Sequence, residues 1–242
     1  MTGGQILAVA FDLDGTLVDL ERFHHDSLLR AAREVGIELT WEQARRSVPN
    51  FIGGPDAVVA AGIAALSPAG AAPAEILAAK QRYFTTAIGA VSQIVPRDGV
   101  GEILDQLGRQ GLPVAVGTVT EREIAVGILD RAGLLPMFGE DRVVTLEDVP
   151  RPKPAPDIYL ETARRLDVEP VAQLVFEDSL TGMAAARSAG SPFVAMPTVR
   201  APDYLASVGA AGASAVFRDW RDPGLLSLLA HLLATPGRVY YG

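Results

Sequence analysis

The sequence contains no cysteine, which excludes disulfides, thiolate zinc sites and a cysteine nucleophile. Histidine is nearly as scarce. His24, His25 and His231 are too few and too scattered to point to a histidine metal site. Aromatic residues make up only 6% of the chain, so Ala, Val and Leu must build the interior, a composition suited to helices packed on a sheet. Lys and Arg form no block, and the net charge is −8. A nucleic-acid footprint needs clustered cations, so none is expected. No window approaches the ~18 unbroken apolar residues of a membrane span. The N-terminus lacks a charged region followed by an apolar core of signal length. The expectation is a soluble cytoplasmic protein. Its 242 residues suffice for one large core or two modest ones.

What is present is organised around Ala8-Val9-Ala10-Phe11-Asp12-Leu13-Asp14-Gly15-Thr16-Leu17-Val18-Asp19. Ile6 to Phe11 is an apolar run of one buried strand's length. It gives way abruptly to two carboxylates with one residue between them. Asp is a poor strand residue and normally avoids burial. Carboxylates at the carboxyl end of a buried strand are costly unless they hold a cation or do chemistry. An ordinary acidic turn is the bland alternative for Asp-x-Asp-Gly alone.

Residues 20–92 read as helical throughout. Phe23, Leu28, Ala31, Ala32 and Val35 recur at helical spacing, and Thr40 with Gln43 forms a capping-box pattern. Helices are expected over 56–66 and 74–90. The remainder alternates. Strands are expected at 113–116, 142–145, 173–176 and 193–195, with a weak one at 215–217. Helices are expected at 99–110, 121–131, 156–166, 179–188 and 225–233. This alternation argues for an α/β fold: a doubly wound, Rossmann-like parallel sheet with helices on both faces. The expected division is a core of residues 1–19 and 93–242 with an inserted all-helical cap of residues 20–92, its hinges near Val18–Leu20 and Ile94–Asp98.

Three more places carry polar residues out of keeping with their apolar lead-ins. Val114-Ala115-Val116-Gly117-Thr118 ends in a hydroxyl that can meet a phosphoryl oxygen, or can simply cap the next helix. Arg151-Pro152-Lys153-Pro154-Ala155-Pro156-Asp157 is a loop stiffened by three prolines. It either holds Lys153 in place or shows a solvated lysine. Leu174-Val175-Phe176-Glu177-Asp178-Ser179 ends another apolar strand in two carboxylates. These can serve the N-terminus of the next helix or a cation. Gly182 and Ala184 to Ala186 let that helix pack closely.

Taken together and in this order, the four pieces resemble the haloacid dehalogenase superfamily. The branch they are most similar to has a helical cap after the first strand and includes β-phosphoglucomutase and many sugar-phosphate phosphatases. Asp19 and His24 also fall where that branch often has Asp and His. The resemblance implies that Asp12 is the nucleophile and forms an aspartyl-phosphate. It makes Asp14 the general acid and base, with its backbone carbonyl on the metal. Thr118 and the Val119 N–H would hold phosphoryl oxygens, and Lys153 would offset charge on Asp12 and the phosphoryl group. Asp12, Asp14, Asp178 and Glu177 would serve a Mg²⁺ ion, since hard oxygen donors suit it. The implied reaction is hydrolysis of a small phosphorylated metabolite, with the cap closing over the cleft. Candidate substrate readers are His24, Asn50, Lys80, Arg82 and Tyr83, although an ordinary solvated surface accounts better for most of them. Val119 stands where many family phosphatases have Asn. The loop 49–55 lacks the basic residue that β-phosphoglucomutase uses on its second phosphate, which ranks phosphatase above mutase. A 2-haloacid dehalogenase, needing neither Asp14 nor metal, and a non-catalytic phosphate-binding module are the remaining alternatives.

Overall fold

A computed structural model describes residues 5–49, 51 and 55–233. The chain divides into two compact units. One holds the described residues of Met1–Asp19 and Ile94–Gly242, the other those of Leu20–Gln93.

The first unit is built on a parallel six-stranded sheet. β1 (Ala8–Phe11) opens it, followed in chain order by β2 (Val114–Gly117), β3 (Val143–Val144), β4 (Gln173–Glu177), β5 (Phe193–Ala195) and β6 (Ala215–Val216). They lie in the order β3-β2-β1-β4-β5-β6, so the winding direction reverses between β1 and β4. Ligands of such sheets sit at the carboxyl ends of the strands beside this switch point. Every residue of β1, β2 and β4 is buried, which explains why β1, β2 and the middle of β4, Leu174 to Phe176, read as apolar runs rather than alternating ones.

The second unit consists of α1 (Glu21–Glu34), α2 (Trp41–Ser47), α3 (Asp56–Ala64) and α4 (Pro73–Gly89). Leu28, Ala31 and Ala32 of α1 meet Val59, Ala60, Ile63, Ile76 and Ala79 in its core. The capping box is present: Gln43 N donates to Thr40 Oγ1 at 3.3 Å, and Thr40 N donates to Gln43 Oε1 at 2.9 Å.

The sheet unit is completed by α5 (Val100–Arg109), α6 (Arg122–Arg131), α7 (Leu135–Phe138), α8 (Asp157–Arg165), α9 (Leu180–Ala189), α10 (Pro202–Ala210) and α11 (Pro223–Leu233). Both faces of the sheet are covered. Ala10, Val175 and Phe193 pack with Ile158, Tyr159, Met183 and Val208 of α8, α9 and α10. The alternate residues Phe11 and Phe176 stack on each other at 5.2 Å and meet Trp220 at 5.9 and 4.9 Å. The fold is thus the doubly wound α/β architecture that the alternation required. The expected strand 142–145 shrinks to two residues, because Glu140–Arg142 winds into a 3-10 turn. α10 has no counterpart in the sequence reading: only Val208 of it is buried, so it has almost no apolar periodicity. No helix among the described residues is long and apolar enough to cross a membrane.

Candidate active site

Parallel register brings the polar strand ends to one level. Phe11 pairs with Val116 on one side and with Phe176 on the other. The next residues, Asp12, Gly117 and Glu177, are therefore neighbours at the carboxyl edge. Asp12 N donates to Phe176 O at 2.9 Å, extending the ladder one step.

Lys153 joins all three strand ends. Its Nζ lies 2.6 Å from Asp12 Oδ1, 2.9 Å from Gly117 O and 2.6 Å from Glu177 Oε1. It also sits over the Tyr159 ring, 4.9 Å from the centroid. The loop that carries it is held by more than its prolines. Arg151 forks onto Asp157 through Nε (3.2 Å) and Nη2 (2.9 Å), a bidentate clasp across the base of the loop. The Lys153 side chain is 4% exposed and that of Glu177 0%. A solvated surface lysine is thereby excluded.

Glu177 is wholly engaged. Oε1 accepts from Lys153 and from Tyr159 Oη (2.8 Å), and Oε2 accepts from Ser179 N and Oγ, both at 3.0 Å. Ser179 Oγ in turn accepts from Gly182 N at 3.1 Å and so caps α9. A Cβ on Gly182 would collide with the Glu177 carboxylate, so this part of the site requires glycine. The same holds at Gly15, whose φ is +83° and where a Cβ would strike Asp178.

Asp12, Glu177 and Asp178 each offer a carboxylate oxygen, all within 4.8 Å of one another. Three carboxylates thus face one ammonium, with Asp14 adding repulsion to both Asp12 and Asp178. The electrostatics follow from that imbalance. Burial, and repulsion from Glu177 and Asp14, push Asp12 up to about 7 against the pull of Lys153. Burial, then Glu177, Asp12 and Asp14, push Asp178 well above the carboxylate range. Burial works against the charge on Lys153, but Asp12 and Glu177 outweigh it and raise its pKa above that of an ordinary lysine. An oxygen-only donor set with excess negative charge fits a hard divalent cation such as Mg²⁺.

The other sequence candidates fall elsewhere. Thr118 is buried at the end of β2, beside the Gly117 carbonyl that holds Lys153. It does not cap α6, whose N-cap is Glu121. Its Oγ1 instead meets Thr120 N and Oγ1, both at 3.1 Å. Val119 is exposed. In the helical unit Arg82 pairs with Glu34 at 2.6 Å, and Tyr83 Oη donates to the same carboxylate at 2.8 Å. Lys80 is buried and donates to Asp56 at 2.5 Å. His24 stacks on Phe84 at 4.1 Å. For these four the structure provides partners within their own unit. Asn50 lies outside the described residues.

Two side chains at the site escaped the sequence reading. Tyr159 is a buried tyrosine among apolar neighbours on α8, where spacing marks it as core. Tyr204 Oη donates to Asp178 O at 3.0 Å. It lies on the unforeseen α10, for which Pro202 in the first turn was the available signal.

The chain is similar to known proteins over most of its length. The haloacid dehalogenase-like hydrolase family matches residues 6–190. The chain is 30% identical to the protein CbbY of Rhodobacter capsulatus, over 91% of this chain and 94% of that one. It is 33% identical to the fructose-1-phosphate phosphatase YqaB of Escherichia coli, over 74% and 90%. Among solved structures it resembles a HAD family hydrolase from Deinococcus radiodurans with bound phosphate and sodium. That likeness has a TM-score of 0.72 and 29% identity, covering 97% of this chain and 100% of the other.

Proposed function

From the premise that this chain belongs to the haloacid dehalogenase-like hydrolases, we propose that it is a Mg²⁺-dependent phosphatase acting on a small sugar phosphate. The observation that carries this reading is Lys153, buried and bonded at once to Asp12, Glu177 and the Gly117 carbonyl. An anionic nucleophile can approach an anionic phosphate only where cations are already in place.

In this reading Asp12 attacks phosphorus through a carboxylate oxygen. A P–O(Asp12) bond forms while the ester P–O bond breaks, and Asp14 donates its proton to the departing alkoxide. Asp14 then takes a proton from water. The resulting hydroxide attacks phosphorus, the P–O(Asp12) bond breaks, and inorganic phosphate leaves. Lys153 steadies charge on Asp12 and on the phosphoryl oxygens, and Thr118 and the Val119 N–H supply further donors. Asp12, Asp178 and the Asp14 carbonyl would hold Mg²⁺, which when bound adds positive charge beside the phosphoryl group. Glu177, with both oxygens already accepting two hydrogen bonds each, serves better as the anchor of Lys153 than as a metal ligand. The fructose-1-phosphate phosphatase relative supports a sugar phosphate as substrate.

Phosphate release is to be measured over a panel of sugar phosphates, phosphoglycolate and nucleotides, with and without Mg²⁺. The expected outcome is Mg²⁺-dependent release that Asp12→Asn abolishes. Undiminished release by Asp12→Asn would remove Asp12 as nucleophile. Conversion of a hexose 1-phosphate to its 6-phosphate without net release would make the enzyme a mutase.

A further inference from the structure

One guanidinium has no part in the chemistry above, yet it grips the loop that carries both aspartates. Arg97 stands between Pro96 and Asp98, where the chain re-enters the sheet unit. Its backbone N–H donates to Leu17 O at 2.8 Å, and Val18 and Pro96 form an antiparallel bridge. The side chain reaches further. Nη1 donates to Gly15 O and, at 3.0 Å, to Met196 O, while Nη2 donates to Arg218 O at 3.0 Å. These acceptors lie 82, 99 and 121 residues away. One side chain therefore ties the loop after Asp14 to the segments that follow β5 and β6.

Each carbonyl from Gly15 to Val18 is engaged. Gly15 O meets the Arg97 fork, and Thr16 O accepts from Trp220 Nε1 at 3.1 Å. Leu17 O meets Arg97 N, and Val18 O accepts from Gly15 N at 2.7 Å. Gly15 is also the residue whose missing Cβ makes room for the Asp178 carboxylate. Whatever fixes the Gly15 peptide fixes the wall against which Asp178 rests. Met196, the second acceptor, reaches the site too, since its N–H donates to Glu177 O at 2.7 Å.

We propose that Arg97 is a positioning residue for the cation site: its planar fork holds the Gly15 peptide against Asp178 and so sets the arrangement of Asp12 and Asp178. This rests on reading that site as the Mg²⁺ site. The role is geometric, and its sign can be tested. Asp178, Asp19 and Asp219 are the carboxylates that offset the burial of the Arg97 charge. A fixed positive charge near Asp178 repels an incoming cation, so losing the charge alone would tighten Mg²⁺ binding. Losing the fork would loosen it. Lysine keeps the charge but presents a single compact ammonium, which cannot reproduce a fork spread over three carbonyls.

Mg²⁺ binding is to be measured by titration calorimetry, without substrate, on the wild-type, Arg97→Met and Arg97→Lys proteins, together with hydrogen exchange of the amides of residues 13–18. Both variants are expected to bind Mg²⁺ about 10-fold more weakly, with faster exchange at Gly15, Leu17 and Val18. Unchanged or tighter binding by Arg97→Met, wild-type affinity in Arg97→Lys, or unaltered loop exchange would each overturn the proposal. If Arg97→Met does not fold, Arg97→Lys decides alone. If the wild-type protein binds no Mg²⁺, the metal reading falls and this role with it. Wild-type binding that the variants match removes only the role of Arg97.

Discussion

At the residue scale, the site is an exercise in placing an excess of buried charge. Lys153 stands within 2.6 Å of two carboxylates, and Glu177 holds it there through an oxygen shared with Tyr159. The smallest residue in this arrangement is as demanding as the largest. Gly182 leaves no space for a methyl group beside Glu177, so Gly182→Ala must displace either the carboxylate or the first turn of α9. Overpacking of this kind costs about 1–3 kcal/mol. The expected outcome is a lower unfolding midpoint and a loss of phosphate release well beyond what the stability change explains. Denaturant unfolding and steady-state assays at matched folded fraction would check it. Unimpaired release by Gly182→Ala would show that Glu177 need not stay where it is. The sequence marks Gly182 as a close-packing glycine. What it packs against was not legible, because Glu177 reaches it only through the turn at Ser179.

At the element scale, the segment after β3 is held by one carboxylate. Asp148 accepts from Thr145 N (2.8 Å) and Thr145 Oγ1 (2.9 Å), and pairs with Arg122 at 2.5 Å and Arg165 at 2.7 Å. It thus joins the start of α6 and the end of α8 to one turn. Burial alone would raise its pKa, but the Thr145 and Arg165 hydrogen bonds hold it at about 2, against an ordinary 3.8. The folded value lies below the unfolded one, so the stabilisation is complete above the unfolded pKa. It is lost as pH falls through about 2. Its size is about 2 kcal/mol. The expected outcome is that Asp148→Asn is less stable than wild type at pH 7 and that the difference closes progressively between pH 4 and pH 2. Urea unfolding of both proteins across that range would measure it. A difference independent of pH would mean that the Asp148 charge is not what holds the three elements. The pairing could not be read from the sequence: Arg122, Asp148 and Arg165 are ordinary charged residues until α6 and α8 are laid beside β3.

At the scale of the whole molecule, three carboxyl groups, Asp12, Glu177 and Asp178, gather at one sheet edge of a chain whose net charge is −8. A cation bound there relieves repulsion that only the folded chain assembles. Binding to the folded form alone stabilises it by about 2.7 kcal/mol at 100 times Kd. Saturating Mg²⁺ is therefore expected to raise the melting temperature, chelator to reverse the rise, and Asp178→Asn to abolish the response. Thermal unfolding with Mg²⁺ and with EDTA tests this. An equal response from Asp178→Asn would place the ion elsewhere.

The sequence alone determined the strand–helix alternation, the apolar strands that end in acid, and the Thr40–Gln43 capping box, because each depends on neighbours within a few residues. It also determined that Asp12, Lys153 and the Glu177–Asp178 pair are the candidate site residues, through their order along the chain. Only the tertiary structure decided that Glu177 holds Lys153, that Tyr159, Tyr204 and Arg97 brace the site, and that Lys80, Arg82, Tyr83 and His24 have partners in the helical unit. Those contacts join residues 18 to 121 positions apart. Strand register and helix packing set them, and no local pattern of residues encodes either.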